Sequence, residues 1–202
     1  MKKRLVGLLF LVLSAVPAHA EYYEIDTSGS HAFIEFRIQH LGFSWMSGRF
    51  NTFTGNFSYN DNNPAKVRVE VDIDVASIDT NHAERDKHLR GAKFLDTDAF
   101  PKASFKSTSF VTKQDGTILL NGELTLHGVT KAITLDVEHV GHGNDPWGGY
   151  RRGFVATTKF KISDYAIDVT KLGPSSQVIH MTLSLEGIRR SITDKAEADK
   201  PF

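Results

Sequence analysis

The sequence contains no cysteine, which excludes disulfides, thiol catalysis and Cys-based zinc sites and leaves stability to the core alone. It also has no apolar run long enough to cross a bilayer as a helix, since the stretch from Leu5 to Val16 falls short of the ~20 residues required. An excess of positive charge is missing too: Lys and Arg number 24 against 24 Asp and Glu. Nucleic-acid binding, which needs a clustered basic face, is therefore not indicated. No Gly-x-Ser-x-Gly, no phosphate-cradling glycine loop and no spaced pair of catalytic carboxylates stands out. No Pro/Gly/Ser-rich linker divides the chain.

The first twenty residues have the form of an export signal. Lys2, Lys3 and Arg4 precede the apolar run, Pro17 breaks it, and Ala18-His19-Ala20 supplies the small-x-small pattern cut by signal peptidase. This predicts removal of residues 1–20 and a weakly acidic mature chain starting near Glu21. About 180 residues then remain, enough for one domain with a substantial core. The reading sets a barrel domain over 21–188 and a polar tail over 189–202, aperiodic from Ser191 onward and expected to be disordered.

Period-two alternation dominates the rest, which reads as all-β. Ile34, Phe36 and Ile38 share one face of a strand whose row extends to His40. Phe53, Gly55, Phe57 and Tyr59 form another row. Val67, Val69, Val71, Ile73 and Val75 alternate with Lys66, Arg68, Glu70, Asp72 and Asp74, a half-buried strand with a wet outer face. Further strands are expected at 103–112, 118–126, 133–142, 150–162 and 177–188, with turns at Asp115-Gly116 and across Gly141 to Gly149. About eight strands in hairpin-like sequence favour a meander closed into a barrel able to hold one ligand, with a β-sandwich as the alternative. The alternation stops between Ser77 and Pro101, where the composition of 79–91 predicts one short helix ended by Gly91.

The residues also resemble the YceI-like family of periplasmic proteins over nearly the whole mature chain. The resemblance is carried by Ile25-Asp26, by Phe36-x-Ile38-x-His40-Leu41-Gly42-Phe43-Ser44-Trp45, and by Gly48-x-Phe50-x-x-Phe53-x-Gly55. It continues through Ser77-Ile78-Asp79-Thr80, His82 to Arg90, Phe94-Leu95, Pro101, Phe105 to Thr108 and Gly122 to Lys131. It implies an eight-stranded antiparallel lipocalin-like β-barrel with one short helix, holding a polyisoprenoid, quinone or similar long amphiphile in an apolar tunnel. Phe160-Lys161-Ile162-Ser163-Asp164-Tyr165 departs from the family, many members of which carry a basic residue before Ser-Asp-aromatic.

Each aromatic of the early strands, Phe33 included, can line a tunnel or fill a core. The barrel's expected height, about 30 Å for ~12-residue strands tilted by ~40°, exceeds what a self-filled core needs and favours a tunnel. The candidate ligand-binding set is Ile34, Phe36, Ile38, His40, Phe43, Trp45, Phe50, Phe53, Phe57, Leu124 and Leu126. About fifteen buried carbons at ~0.8 kcal/mol each offer roughly 12 kcal/mol before ordering costs, so no charged clamp is needed. His40, His127 and His180 are either buried polar residues with partners or contacts for a ligand oxygen.

Two other readings stay open. His82, Glu84, Asp86 and His88 lie close enough to suggest a metal-assisted enzyme, yet the histidines are six apart rather than spaced as His-Glu-x-x-His, which suits a solvated, salt-paired helix better. A stress-related structural protein with a filled core is the third. A terminal Phe202 hints at an outer-membrane barrel, but the best strand pairs its valines with five charges, unlike a lipid-facing band. The expectation is thus a periplasmic, non-enzymatic lipid carrier or store without a resident cofactor, making transient membrane contact to load its ligand. A homodimer would be symmetric, though no exposed apolar stripe marks its face.

Overall fold

The structure, a computed structural model, describes residues 20–63 and 66–191. The expected signal sequence and the tail from 192 onward lie outside the described residues. Among those described, eleven strands form one antiparallel sheet that closes on itself: β1 (Glu21–Ile25), β2 (Phe33–His40), β3 (Ser44–Phe50), β4 (Phe53–Tyr59), β5 (Arg68–Asp74), β6 (Ile78–Asp79), β7 (Lys102–Thr112), β8 (Ile118–Leu126), β9 (Val129–Asn144), β10 (Tyr150–Lys161) and β11 (Val178–Arg190). The ring is an eight-position barrel, because three positions are each shared by two segments in line. Thus β11 pairs with β2 through His180 to Ser184 and with β1 through Gly187 to Arg190. The β3 and β4 segments pair with β2 and β1 in the same order, and β6 and β5 pair in turn with β3 and β4. Every ring position neighbours the next in sequence, the meander that hairpin spacing implied.

The expected strands are all present, and their inward rows match the apolar alternation. Val71 and Ile73 are buried while Asp72 and Asp74 are exposed, each buried aliphatic contributing ~1.5–3 kcal/mol. β1 and β3 were not foreseen. In β3 the sequence Ser-Trp-Met-Ser-Gly-Arg-Phe alternates weakly, because its outer side carries Trp45 and its inner row includes Gly48. The turn expected over Gly141 to Gly149 is shorter: β9 continues to Asn144 and the connection is 145–149. There Asp145 accepts from the backbone N–H of Trp147 and Gly149. The barrel also runs past its expected limit at 188, since Arg189 and Arg190 pair with Tyr23 and Tyr22 and form ion pairs with Glu21 and Glu24.

The β8–β9 hairpin turns on two residues, His127 and Gly128, both at positive φ (50° and 73°), the conformation of a tight turn matched to strand twist. This turn lies at the same end of the barrel as helix α1 (Ala83–Arg90), the 41–43 turn and the 162–177 connection between β10 and β11. The end of β4, the start of β5 and the connections 113–117 and 145–149 lie at the other end.

Candidate functional site

The inward rows leave an apolar lumen. In the half nearer α1 it is a cavity of about 360 Å³ lined by Phe36, Ile38, Phe50, Ile78, Leu89, Leu126, Phe160, Ile162, Ile167 and Val169, among others. A smaller space of about 80 Å³ continues toward the opposite end past Val69, Phe105, Leu120, Leu135 and Leu183. Ile73, Leu124 and Met181 line both, so the two spaces follow one another along the barrel axis. Exposed residues His40, Leu41, Lys171 and Leu172 also line the larger one. It therefore reaches the surface between the 41–43 turn and the turn at 170–172.

α1 roofs this space because its first turn is tied to the end of β6. His82 caps the helix by accepting from the Arg85 backbone N–H at 3.2 Å, as capping requires. Buried Asp86 accepts from both the backbone N–H and the hydroxyl of Thr80. Arg85 donates to the Thr80 carbonyl at 2.7 Å. Leu89, one turn on, then faces the lumen. The acid that seemed a candidate metal ligand is thus an anchor, while His82, Glu84 and His88 are exposed.

The far end is closed by aromatic rings and a cation. Tyr23 stacks on Phe57 at 4.8 Å, and Gly187 makes room, since a Cβ there would lie 2.4 Å from the Phe57 ring. Arg152, 1 % exposed, lies 4.2 Å over the Tyr59 ring and is paired at 2.9 Å with Asp61, which is largely exposed. Burial, together with a hydrogen bond to Glu21, pushes the Tyr23 phenol up to about 12. Burial and then the Arg152 charge push His139 below the usual imidazole range.

Just outside this end Arg151 gathers three carboxylates, Asp26 at 2.6 Å, Asp145 at 2.7 Å and Glu186 at 2.5 Å. His31 donates to Asp26 at 2.9 Å. Burial pushes the Asp26 carboxyl up, but hydrogen bonds from His31, Arg151 and Gly29 outweigh it and hold it well below the usual range. Asp26, His31 and Glu186 are the one group among the described residues with metal-ligand spacing. Arg151 is ion-paired with both carboxylates of that group, so their oxygens are already engaged by a cation.

The sequence-derived set divides. Phe36, Ile38, His40, Phe50, Leu124 and Leu126 line the larger cavity, and Phe57 lines the smaller one. Ile34 and Phe53 point inward as expected but are packed into the core without lining either space. Phe43 and Trp45 are corrections: they are 87 % and 46 % exposed, on the turn and the outer face. Trp45 packs there against Arg37 and His180. The parity rule explains this, since β3 pairs Trp45 with Gln39 and Met46 with Ile38, so it is Met46 that shares the inner row. His180 is on the outer face, and His127 donates to the Tyr165 carbonyl at 3.1 Å, so of the three histidines His40 alone borders the cavity.

Sequence reasoning noted residues 160–165 only as a departure from the family and gave the 162–177 connection no inward row. Ile162, Tyr165, Ile167 and Val169 are buried while Ala166, Asp168 and Thr170 are exposed, an alternation visible in the sequence that was passed over between two stronger strands. The Tyr165 phenol is pushed up to about 12 by burial, with the Asp164 charge adding to the effect.

A closed eight-stranded meander barrel with an apolar lumen open at one end is a lipocalin-like barrel, an architecture whose interior suits a single small ligand. The chain belongs to the YceI-like family: the YceI-like domain matches residues 23–187. It is 52 % identical over 193 residues to Protein YceI of Shigella flexneri, covering 94 % of this chain and 100 % of that one. The crystal structure of the Campylobacter jejuni YCEI protein is similar at a TM-score of 0.66 and 26 % identity, covering 76 % of this chain and 91 % of that one. A polyisoprenoid binding domain from Saccharophagus degradans shares the fold at a TM-score of 0.61 and 17 % identity, over 85 % of this chain and 100 % of that one.

Proposed function

We propose that this chain is a periplasmic binding protein, exported by its N-terminal signal, that sequesters one long apolar lipid of the polyisoprenoid or quinone class. The observation that carries the reading is the cavity of about 360 Å³ lined by Phe36, Ile38, Phe50, Leu126, Phe160 and Val169. Its volume lies within the range of small-molecule sites, and its walls offer a lipid tail what water does not. Binding rests on removal of apolar surface from water, about 0.8 kcal/mol per methylene, and involves no bond-making step. The polyisoprenoid named for the related domain of S. degradans agrees with this chemistry.

The ligand enters at the α1 end. Leu41, Phe43 and Leu172 are exposed beside the opening, and large apolar side chains grouped at a cavity mouth suit contact with a membrane surface from which a lipid is loaded. Mass spectrometry of an organic extract, from protein purified without detergent out of its own periplasm, tests the reading. One isoprenoid or acyl species per chain is the expected result. An empty protein holding stoichiometric zinc would overturn it in favour of a metal-assisted enzyme.

A further inference from the structure

β9 and β10 do not pair along their full length. Their ladder runs from Tyr150↔Asn144 to Thr157↔Asp136, yet β9 extends back to Val129 and β10 on to Lys161. Those extensions remain laddered to β8 and β11 respectively. The barrel wall is therefore split by a seam at the α1 end, across which Thr158 donates to the Thr134 carbonyl at 2.8 Å. A groove of about 980 Å³ follows the seam.

Tyr165 borders this groove together with Ile133, Phe160 and Met181. Ile133 and Met181 also line the smaller cavity, and Phe160 and Met181 the larger one, so Tyr165, which lines neither, stands one side chain away from the lumen at the seam. Its ring packs edge-on against Phe160 at 5.1 Å. The side chain is 1 % exposed, and its hydroxyl is the one buried side-chain polar atom among the described residues with no hydrogen-bond partner. The other deeply buried tyrosine, Tyr23, has its hydroxyl between Glu21 and Arg152. A buried hydroxyl without a partner lowers stability, and a phenylalanine would pack the same space without that cost.

We propose that Tyr165 is a binding residue for the oxygen-bearing end of the ligand, its phenol donating to a carbonyl oxygen at the seam while the tail lies in the lumen. This rests on the lipid-binding reading. A neutral oxygen is favoured over an anionic one because the adjacent charge is that of Asp164, and the cations of the groove, Arg37, Lys131 and Lys159, are on its exposed side.

The test compares wild type with Tyr165→Phe, which keeps the ring and removes only the hydroxyl, by displacement of bound N-phenylnaphthylamine. The two competitors are methyl pentadecyl ketone and heptadecane, equal in chain length and differing in one acceptor oxygen. Relative to heptadecane, the ketone should bind about fivefold better in wild type than in Tyr165→Phe, the effect of one neutral hydrogen bond, because the variant leaves the ketone oxygen buried without a donor. The unliganded variant should melt at or above the wild-type temperature. A ketone-to-heptadecane ratio that is the same in the two proteins overturns the assignment while leaving the lipid reading in place. Failure of wild type to bind either competitor overturns both. A purely structural role for Tyr165 would weaken the two competitors equally and leave their ratio intact.

Discussion

At the end of the barrel that carries the 145–149 turn, β9, β10, β11, β1 and β4 are laddered in series, with one bulge in the β9–β10 pairing at Gly153/Phe154. There the lumen stops on Tyr23, Phe57 and Arg152, and Arg151 pins β10, β11 and the start of the 26–32 connection from outside. At the α1 end β9 and β10 part, β6 pairs with β3 but not with β7, and the lumen widens behind α1 and the 162–177 connection. The first end is held by ladder bonds and paired charges; at the second, hydrogen bonds of Asp86 and Arg85 with Thr80 anchor α1, and the opening between β9 and β10 is bordered by apolar side chains. Regions with fewer backbone bonds open at lower free energy than the rest of a fold. On the proposed lipid-binding reading, stability and binding fall at opposite ends of one tube, and substitutions can separate them.

The largest effect is expected at the open end. Phe36→Asp places a carboxylate in the apolar wall, where its desolvation is uncompensated, and lipid retention should fall by about a hundredfold or more in competition assays. Unchanged retention in a variant with native circular dichroism would remove Phe36 from the site. At the closed end Arg152→Ala should destabilise the fold by about 3 kcal/mol in urea, through the cavity left and the lost contact with the Tyr59 ring. Its lipid affinity should stay close to wild type. Loss of affinity without loss of stability would reverse the roles assigned to the two ends.

Asp26 tests the closed end by pH. Its folded-state pKa is held below the usual value, so the stability tied to its ionisation is complete above the unfolded value of about 3.9 and is lost as pH falls through that region toward the folded value. Asp26→Asn should therefore cost about 2 kcal/mol at neutral pH, the scale of hydrogen bonds to a charged group. The gap between the two melting curves should begin to narrow below about pH 4. A gap that is constant with pH would mean that the network acts through shape and not through charge.

Much of the barrel was legible because the half-wet strands announce themselves: Val67 to Val75 alternates with charges, and Ile118 to Leu126 was bounded to the residue. What was hidden follows from geometry that alternation does not encode. The short segments β1 and β3 continue β2 and β4 around the ring, which only closure reveals. Phe43 and Trp45 were misplaced because hydrophobicity alone put them inside, whereas pairing register put Met46 there. The Arg152 plug was invisible, since a buried arginine is exceptional and its partners, Tyr23 on β1 and Tyr59 and Asp61 at the end of β4, are remote from it in sequence. Tyr165 was missed for the same reason: its significance lies in a missing partner, and a missing partner has no sequence pattern.

Phe43 gives the smallest expected change in stability and sharpens the comparison most finely. It is 87 % exposed, so Phe43→Ser removes almost no buried surface and should alter the unfolding free energy by less than about 0.5 kcal/mol. Its equilibrium affinity for lipid should also hold, because the cavity walls are untouched. If the apolar rim is what meets a membrane, the rate of lipid transfer from vesicles should nevertheless fall severalfold, as membrane contact scales with the apolar area inserted. Stopped-flow transfer of a fluorescent lipid from phospholipid vesicles, run beside competition binding in solution, separates the two quantities. Equal transfer rates in the two proteins would confine the open end to holding the ligand and assign loading to another surface.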